Sequence, residues 1–241
     1  TSRGEIADDV SALFNMLTGY AVAPPWKRLA VAPMGLHEKV LGLIQREAEK
    51  ARRGEPARIV AKMNSLVDST VIRALYAASQ AGVEIDLLVR GICCLRPGVP
   101  GVSERIRVTS VVDRFLEHSR VFAFGAGSHP EVWMSSADWM PRNFVRRIET
   151  MFPVEDPAIR QRLLDEVLGV SLKDNVKARR LQVDGTYTPV GRDGTAVRSQ
   201  GVLMELARRT NQPDPKPLQA LRHATAPDAP VPSRQVPQTG S

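Results

Sequence analysis

A chain of 241 residues is long enough for one or two domains with a complete apolar core. No run approaches the roughly 18 apolar residues that a membrane span needs, and no signal-peptide pattern opens the chain, so the sequence reads as soluble and cytoplasmic. With 33 basic against 26 acidic side chains the formal net charge is +7, which makes polyanions the natural partners. The cysteines, Cys93 and Cys94, are adjacent. Neighbouring cysteines rarely satisfy disulfide geometry, and neither has the spacing or the histidine company of a zinc site. Both read as reduced thiols.

In chain order, Ile6, Val10, Leu13, Phe14 and Leu17 recur at helical spacing, and Gly19 follows as a stop. A helix with a single apolar stripe needs a partner, so this one reads as the end of something that begins upstream. Tyr20 to Arg28 is a proline-containing connector and Leu29 to Ala32 a short strand. Leu36 to Arg53 carries Val40, Leu41, Ile44 and Ala48 on one face and predicts an amphipathic helix ended by Gly54. A strand at Arg58 to Met63, a helix at Thr70 to Gln80 capped by Asp68 or Ser69, and a strand at Ile85 to Val89 then make a right-handed crossover with parallel strands. Ligands on such sheets bind beyond the carboxyl ends of the strands. Lys62 and Asn64 close the first strand, and Arg90 closes the second.

A glycine- and proline-rich loop runs from Gly91 to Glu104. Strands are predicted at Ile106 to Val112, Arg120 to Phe124 and Val132 to Ser135, with Arg146 to Phe152 as the last strand of the main sheet. Asp156-Pro157 opens a helix through Gly169. Asn175 to Val190 reads as a hairpin turned by Asp184-Gly185, and Thr195 to Thr210 as a final helix. Seven of the 18 prolines fall in the last 31 residues, where periodic apolar residues vanish; 211–241 is expected to be disordered. Trp133 and Trp139 could stack on bases beside arginines, but in a chain this poor in aromatics packing is the better reading. No Walker-type or kinase-type glycine loop occurs.

The chemistry concentrates between Phe115 and Asn143. The glycine turn at Gly125 to Ser128 would pair two strands there and bring His118, placed on the first strand, to the end of the sheet that holds the Ser136 and Asp138 corner. A histidine can attack, donate or accept a proton near neutrality, and Arg120, two residues on, shares its strand face. Taken alone, a strand histidine such as His118 is more often a hydrogen-bonded structural residue than a functional one, and Arg90 has an ordinary ion pair as its alternative reading. Arg90 at a strand end could fork two phosphate oxygens.

The order of a histidine followed by a serine corner resembles the phospholipase D superfamily. Four segments, AKMNSLVD (61–68), LVRGICCLRPGVPG (88–101), FLEHSR (115–120) and SSADWMPRN (135–143), more closely resemble the last domain of the polyphosphate kinase family. That resemblance implies an α/β fold of phospholipase D type, a mixed sheet flanked by helices. Residues 1–25 would close the preceding domain, 26–210 form the C-terminal domain, and 211–241 the tail. It implies reversible transfer of the ATP terminal phosphate to inorganic polyphosphate through a phosphohistidine, with Arg90 and His118 as positions that contact nucleotide phosphates. His118 is the catalytic candidate, and Arg120, Asp138, Lys62 and Asn64 complete the binding set, with Arg107, Arg114, Arg142 and Asn143 behind them. The phosphorylated histidine and the ligands of Mg²⁺ would lie upstream of Thr1, so upstream domains of the same protein and a homo-oligomeric assembly are expected. Against a phosphodiesterase or nuclease stand Arg120 where that superfamily has lysine and Asp138 where it has asparagine. A non-catalytic polyanion-binding module is the other alternative.

Overall fold

The computed structural model describes residues 3–19, 22, 25–191 and 194–210. Its elements are α1 (Gly4–Leu17), β1 (Ala30–Ala32), α2 (Leu36–Arg52), β2 (Arg58–Met63), α3 (Ser69–Gln80), β3 (Glu84–Val89), β4 (Ile106–Val111), β5 (Arg120–Phe124), β6 (Glu131–Ser135), α4 (Pro141–Val145), β7 (Glu149–Pro153), α5 (Pro157–Arg162), α6 (Val170–Leu172), β8 (Ala178–Leu181), β9 (Tyr187–Pro189) and α7 (Ser199–Thr210). Residues through Met204 form one compact unit, and a second begins at Glu205. The expected disordered tail lies outside the described residues.

The strands make one mixed nine-stranded sheet in the order β1-β7-β6-β5-β2-β3-β4-β8-β9. β2, β3 and β4 run parallel, with Arg58 opposite Glu84 and Ile85 opposite Ile106; the other neighbours are antiparallel. This is the mixed α/β sheet flanked by helices that the family resemblance implies, and β2 and β3 have the parallel crossover that the strand–helix–strand pattern predicts. α2 and α3 bury Leu36, Val40, Leu43, Ile44, Val71 and Leu75 in the larger core, together with Ile59, Ile85, Val108, Phe122 and Trp139 from the sheet region. The opposite face is covered by the helical segment after Pro157, where Leu168 meets Leu88, Val121, Ala123 and Val132. α1 is held at the β1 edge. The buried Asp9 carboxylate accepts the backbone N–H of Lys27, Arg28 and Leu29, and Leu13 packs on Leu29 and Val31.

Five expectations are corrected. Arg146 to Phe152 is not a single strand. Pro141 starts the short α4, and β7 begins only at Glu149, where Glu149 and Met151 turn inward. Nor is β7 the last strand, because the β8–β9 hairpin extends the same sheet beyond β4. The helix opened by Asp156 widens into a π-helix over Leu163–Gly169, where Gly169 comes so close to the Leu164 carbonyl that a Cβ would stand 3.0 Å from it. The last helix starts at Ser199 rather than Thr195. Asn175 holds the Thr195 carbonyl and the Val197 N–H, and Asp174 accepts the Ser199 N–H. Finally, His118 precedes β5 instead of lying on it: Arg120 is already paired with the last residue of β6, Ser135, so no partner strand reaches His118.

Asp68 caps α3 by accepting the N–H groups of Thr70 (3.0 Å) and Val71 (2.9 Å), and it also holds His37 Nε2 at 3.2 Å. Losing such a cap costs about 1 kcal/mol. Asp68→Ala is therefore expected to lower Tm by about 2–4 °C, measured by calorimetry; an unchanged Tm would remove Asp68 from the set of residues that secure the β2–α3 turn.

Candidate functional site

Parallel strands that start in register also end together, so Met63, Val89 and Val111 close one edge of the sheet. Antiparallel pairing brings the start of β5 and the end of β6 to that edge. Asn64, Arg90, Arg120 and the Ser136–Asp138 corner converge there from four separate segments. The turn after β2 is tied on both sides. Leu66 exchanges backbone hydrogen bonds with Ile92 and Cys94, and Val67 and Asp68 donate to the Trp139 carbonyl. Gly91 matters for the fit: its N–H donates to Asn64 O at 2.7 Å, and a Cβ there would stand 2.9 Å from that carbonyl.

The centre is Asp138, only 4% exposed. Its Oδ1 accepts the Asn64 N–H (2.7 Å), Asn64 Nδ2 (3.2 Å), the Ser65 N–H (3.3 Å) and Arg120 Nε (3.2 Å), and its Oδ2 accepts Arg120 Nη2 (3.0 Å). Burial alone would raise this carboxyl's pKa, but the Arg120 guanidinium and the Asn64 N–H groups outweigh it and hold the group below the ordinary carboxylate value. Asn64 Oδ1 in turn accepts Arg90 Nε (3.2 Å) and Nη2 (3.0 Å), leaving the far end of that half-buried guanidinium outward. At the other end of the chain of contacts, Arg120 Nη1 donates to the His118 carbonyl at 2.9 Å and to His118 Nδ1. A guanidinium has no acceptor, so Nδ1 must be the lone-pair nitrogen. The imidazole is exposed, and its Nε2 has no protein partner among the described residues. The series Arg90–Asn64–Asp138–Arg120–His118 is continuous.

Other expected binding residues are placed differently. Lys62 is buried, with its ammonium on Glu117 Oε2 (2.6 Å) and Ser171 Oγ (3.1 Å), where it holds the residue before His118 rather than facing solvent. Asn143 turns away to Glu149 Oε1, and Ser136 Oγ donates to Glu149 Oε2. Arg107 lies at the opposite end of the sheet, locked with Asp86 and Glu84, because it begins β4 rather than ending it. Arg142, Arg146 and Arg147 are exposed around α4 and make no ion pair among the described residues. Arg114 is exposed over the Phe115 ring. Trp133 and Trp139 are buried in the core. Cys93 and Cys94 are free thiols, and burial pushes Cys93 up to about 11.

Sequence reasoning missed Glu117, Glu149 and Gln200. Glu117 sits beside His118 and invited attention; nothing local marks the other two. Among the described residues, no group of three or more His, Cys, Asp or Glu side chains is placed to hold a metal ion.

Residues 29–200 match the family model described as polyphosphate kinase C-terminal domain 2. The chain belongs to the polyphosphate kinase family. It is 58% identical over 185 residues to the polyphosphate kinase of Thermosynechococcus vestitus, covering 77% of this chain and 25% of that relative. To polyphosphate kinase 1 of Chlorobaculum tepidum it is 49% identical over 207 residues, covering 86% and 29%. The crystal structure of polyphosphate kinase from Porphyromonas gingivalis superposes with a TM-score of 0.82 at 44% identity, over 87% of this chain and 32% of that one. The chain thus spans between a quarter and a third of the length of these polyphosphate kinases.

Removing one partner of a buried ion pair costs about 3–5 kcal/mol, and Asp138→Asn leaves Arg120, itself 10% exposed, without its counter-charge. Because the folded pKa of Asp138 is depressed, its stabilisation is complete above the ordinary carboxylate pKa of about 3.9. It is lost as pH falls through the lower folded value. Denaturant titrations between about pH 6 and pH 3 should show the parent chain losing stability more steeply than Asp138→Asn. Equal slopes would mean that the carboxylate carries no linkage.

Proposed function

We propose that this chain supplies the phosphate-binding half of a polyphosphate kinase site, which transfers the terminal phosphate of ATP reversibly to inorganic polyphosphate. The observation that supports it is the continuous series from Arg90 to His118. It leaves one guanidinium end and one imidazole nitrogen facing outward at the carboxyl edge of the sheet. Phosphoryl transfer is mostly positioning and charge stabilisation. In this reading the outward end of Arg90 pairs with nonbridging oxygens, and His118 Nε2–H donates to a phosphate oxygen and can pass its proton to the leaving oxygen. Asp138 holds Arg120, and Arg120 holds the tautomer.

The same tautomer argues against His118 as the nucleophile of a phosphodiesterase, since a neutral imidazole with Nδ1 occupied carries its proton on Nε2. The family's phosphohistidine would then come from a segment outside this chain. Mg²⁺ would accompany ATP and be held by groups outside this chain, as the cation-lined site does not offer it a ligand set. Cytoplasmic location, upstream domains of the same protein and a homo-oligomeric assembly belong to the same proposal. No helix among the described residues is long and apolar enough to cross a membrane. The exposed Arg142, Arg146 and Arg147 favour polyphosphate as the second substrate, since free guanidinia release counterions on binding a polyanion.

Calorimetric titration with ATP and with tripolyphosphate tests the reading. A charge-assisted hydrogen bond is worth about 1.5–3 kcal/mol, so Arg90→Ala and His118→Ala should each weaken binding by about 10- to 100-fold with little change in Tm. Affinity should also fall as salt rises. Loss of Tm with unchanged affinity would assign both residues to structure. The chain alone should form no polyphosphate from labelled ATP, and transfer by it would instead make His118 the attacking group.

A further inference from the structure

The segment between β4 and β5 that carries His118 has no regular structure, and its apolar side chains, Val112, Phe115 and Leu116, are exposed. Apolar packing therefore does not hold it, and its fixation must be polar. Gln200, in the first turn of α7 and 5% exposed, supplies it. Its Oε1 accepts the Phe115 N–H at 2.8 Å and its Nε2 donates to the Phe115 carbonyl at 2.8 Å, so the side-chain amide pairs with that residue's backbone as a neighbouring strand would. The same Nε2 donates to Glu117 Oε1 at 3.0 Å, while Lys62 occupies Glu117 Oε2 at 2.6 Å.

Two residues before Phe115, the Asp113 carboxylate takes both Nε and Nη2 of Arg198 at 2.7 Å. The Ser199 N–H between these anchors is fixed by Asp174. Glu117 is thus gripped between Gln200 and Lys62 immediately before His118, and Arg120 grips His118 from two residues after it.

We infer that Gln200 is a positioning residue for His118: through Phe115 and Glu117 it sets where the imidazole stands and so which nitrogen Arg120 can reach. The inference rests on the reading of His118 as a phosphate-binding group, but its first test does not. Gln200→Glu keeps the volume and can still accept the Phe115 N–H. It cannot donate to the Phe115 carbonyl and sets a second carboxylate against Glu117. Gln200→Ala removes the grip outright and serves if the charged variant does not fold.

Imidazole proton–nitrogen correlation NMR, with His118 assigned by His118→Gln, reads the tautomer at about pH 8.5, two units above the ordinary imidazole pKa of about 6.5. The parent chain should show the proton on Nε2 alone, and the Gln200 variants a mixture of tautomers. Tripolyphosphate titrations of the same samples should show affinity about tenfold weaker in the variants. A variant that melts lower yet keeps the parent's single His118 tautomer would overturn the inference and leave Gln200 a structural residue. If the tautomer responds while the parent chain binds no tripolyphosphate, the positioning stands and the phosphate-binding reading falls.

Discussion

A buried carboxylate is costly unless it is paired and hydrogen-bonded, and Asp138 meets that condition by drawing three distant stretches of chain into one place. It accepts the amides at the end of β2 and the Nε–Nη2 edge of the Arg120 guanidinium at the start of β5, and it is itself delivered by the corner after β6. Everything at the site depends on that pairing. Asn64 is oriented by it and then orients Arg90; Arg120 is oriented by it and then orients His118. The groups left facing outward are those at the two ends of the series.

The positive charge of the chain is sorted by the same fold. At the amino edge of the parallel strands Asp86 is gripped by Arg58 and Arg107, and Glu84 by Arg105 and Arg107, so that edge is largely self-neutralised. At the carboxyl edge Asp138 neutralises Arg120, whereas Arg142, Arg146 and Arg147 near α4 stay unpaired among the described residues. A net charge of +7 therefore describes the whole chain poorly. Arg142, Arg146 and Arg147 add unneutralised positive charge beside the Asp138 corner.

Support for the site comes from behind as well as within. Glu149, at the start of β7, holds Ser136 and Asn143 on either side of the Asp138 corner, and the Ser135 hydroxyl binds the Thr150 carbonyl. The edge strand β7 thus fixes a corner whose own residues form little regular structure. Glu117, Lys62 and Gln200 do the same for the His118 segment.

Local sequence carried much of the architecture. The spacing of Val40, Ile44 and Ala48 made α2 amphipathic, Asp68 announced the start of α3, and strand–helix–strand order required β2 and β3 to be parallel. That order alone sent Asn64 and Arg90 to one edge, and the glycine turn at Gly125 sent Arg120 and Asp138 to meet them. These features depend on period, capping and chirality, which act over a few residues or one connection. What the tertiary structure alone decided was the partner of each charge. Lys62 and Arg90 both end parallel strands, yet one is spent on Glu117 while the other keeps an outward end. Arg107 reads like Arg120 in sequence but is locked at the far edge. Gln200 reaches Phe115 and Glu117 from a helix more than 80 residues later along the chain. Hydrogen bonds between side chains have no period, so only packed coordinates could assign them.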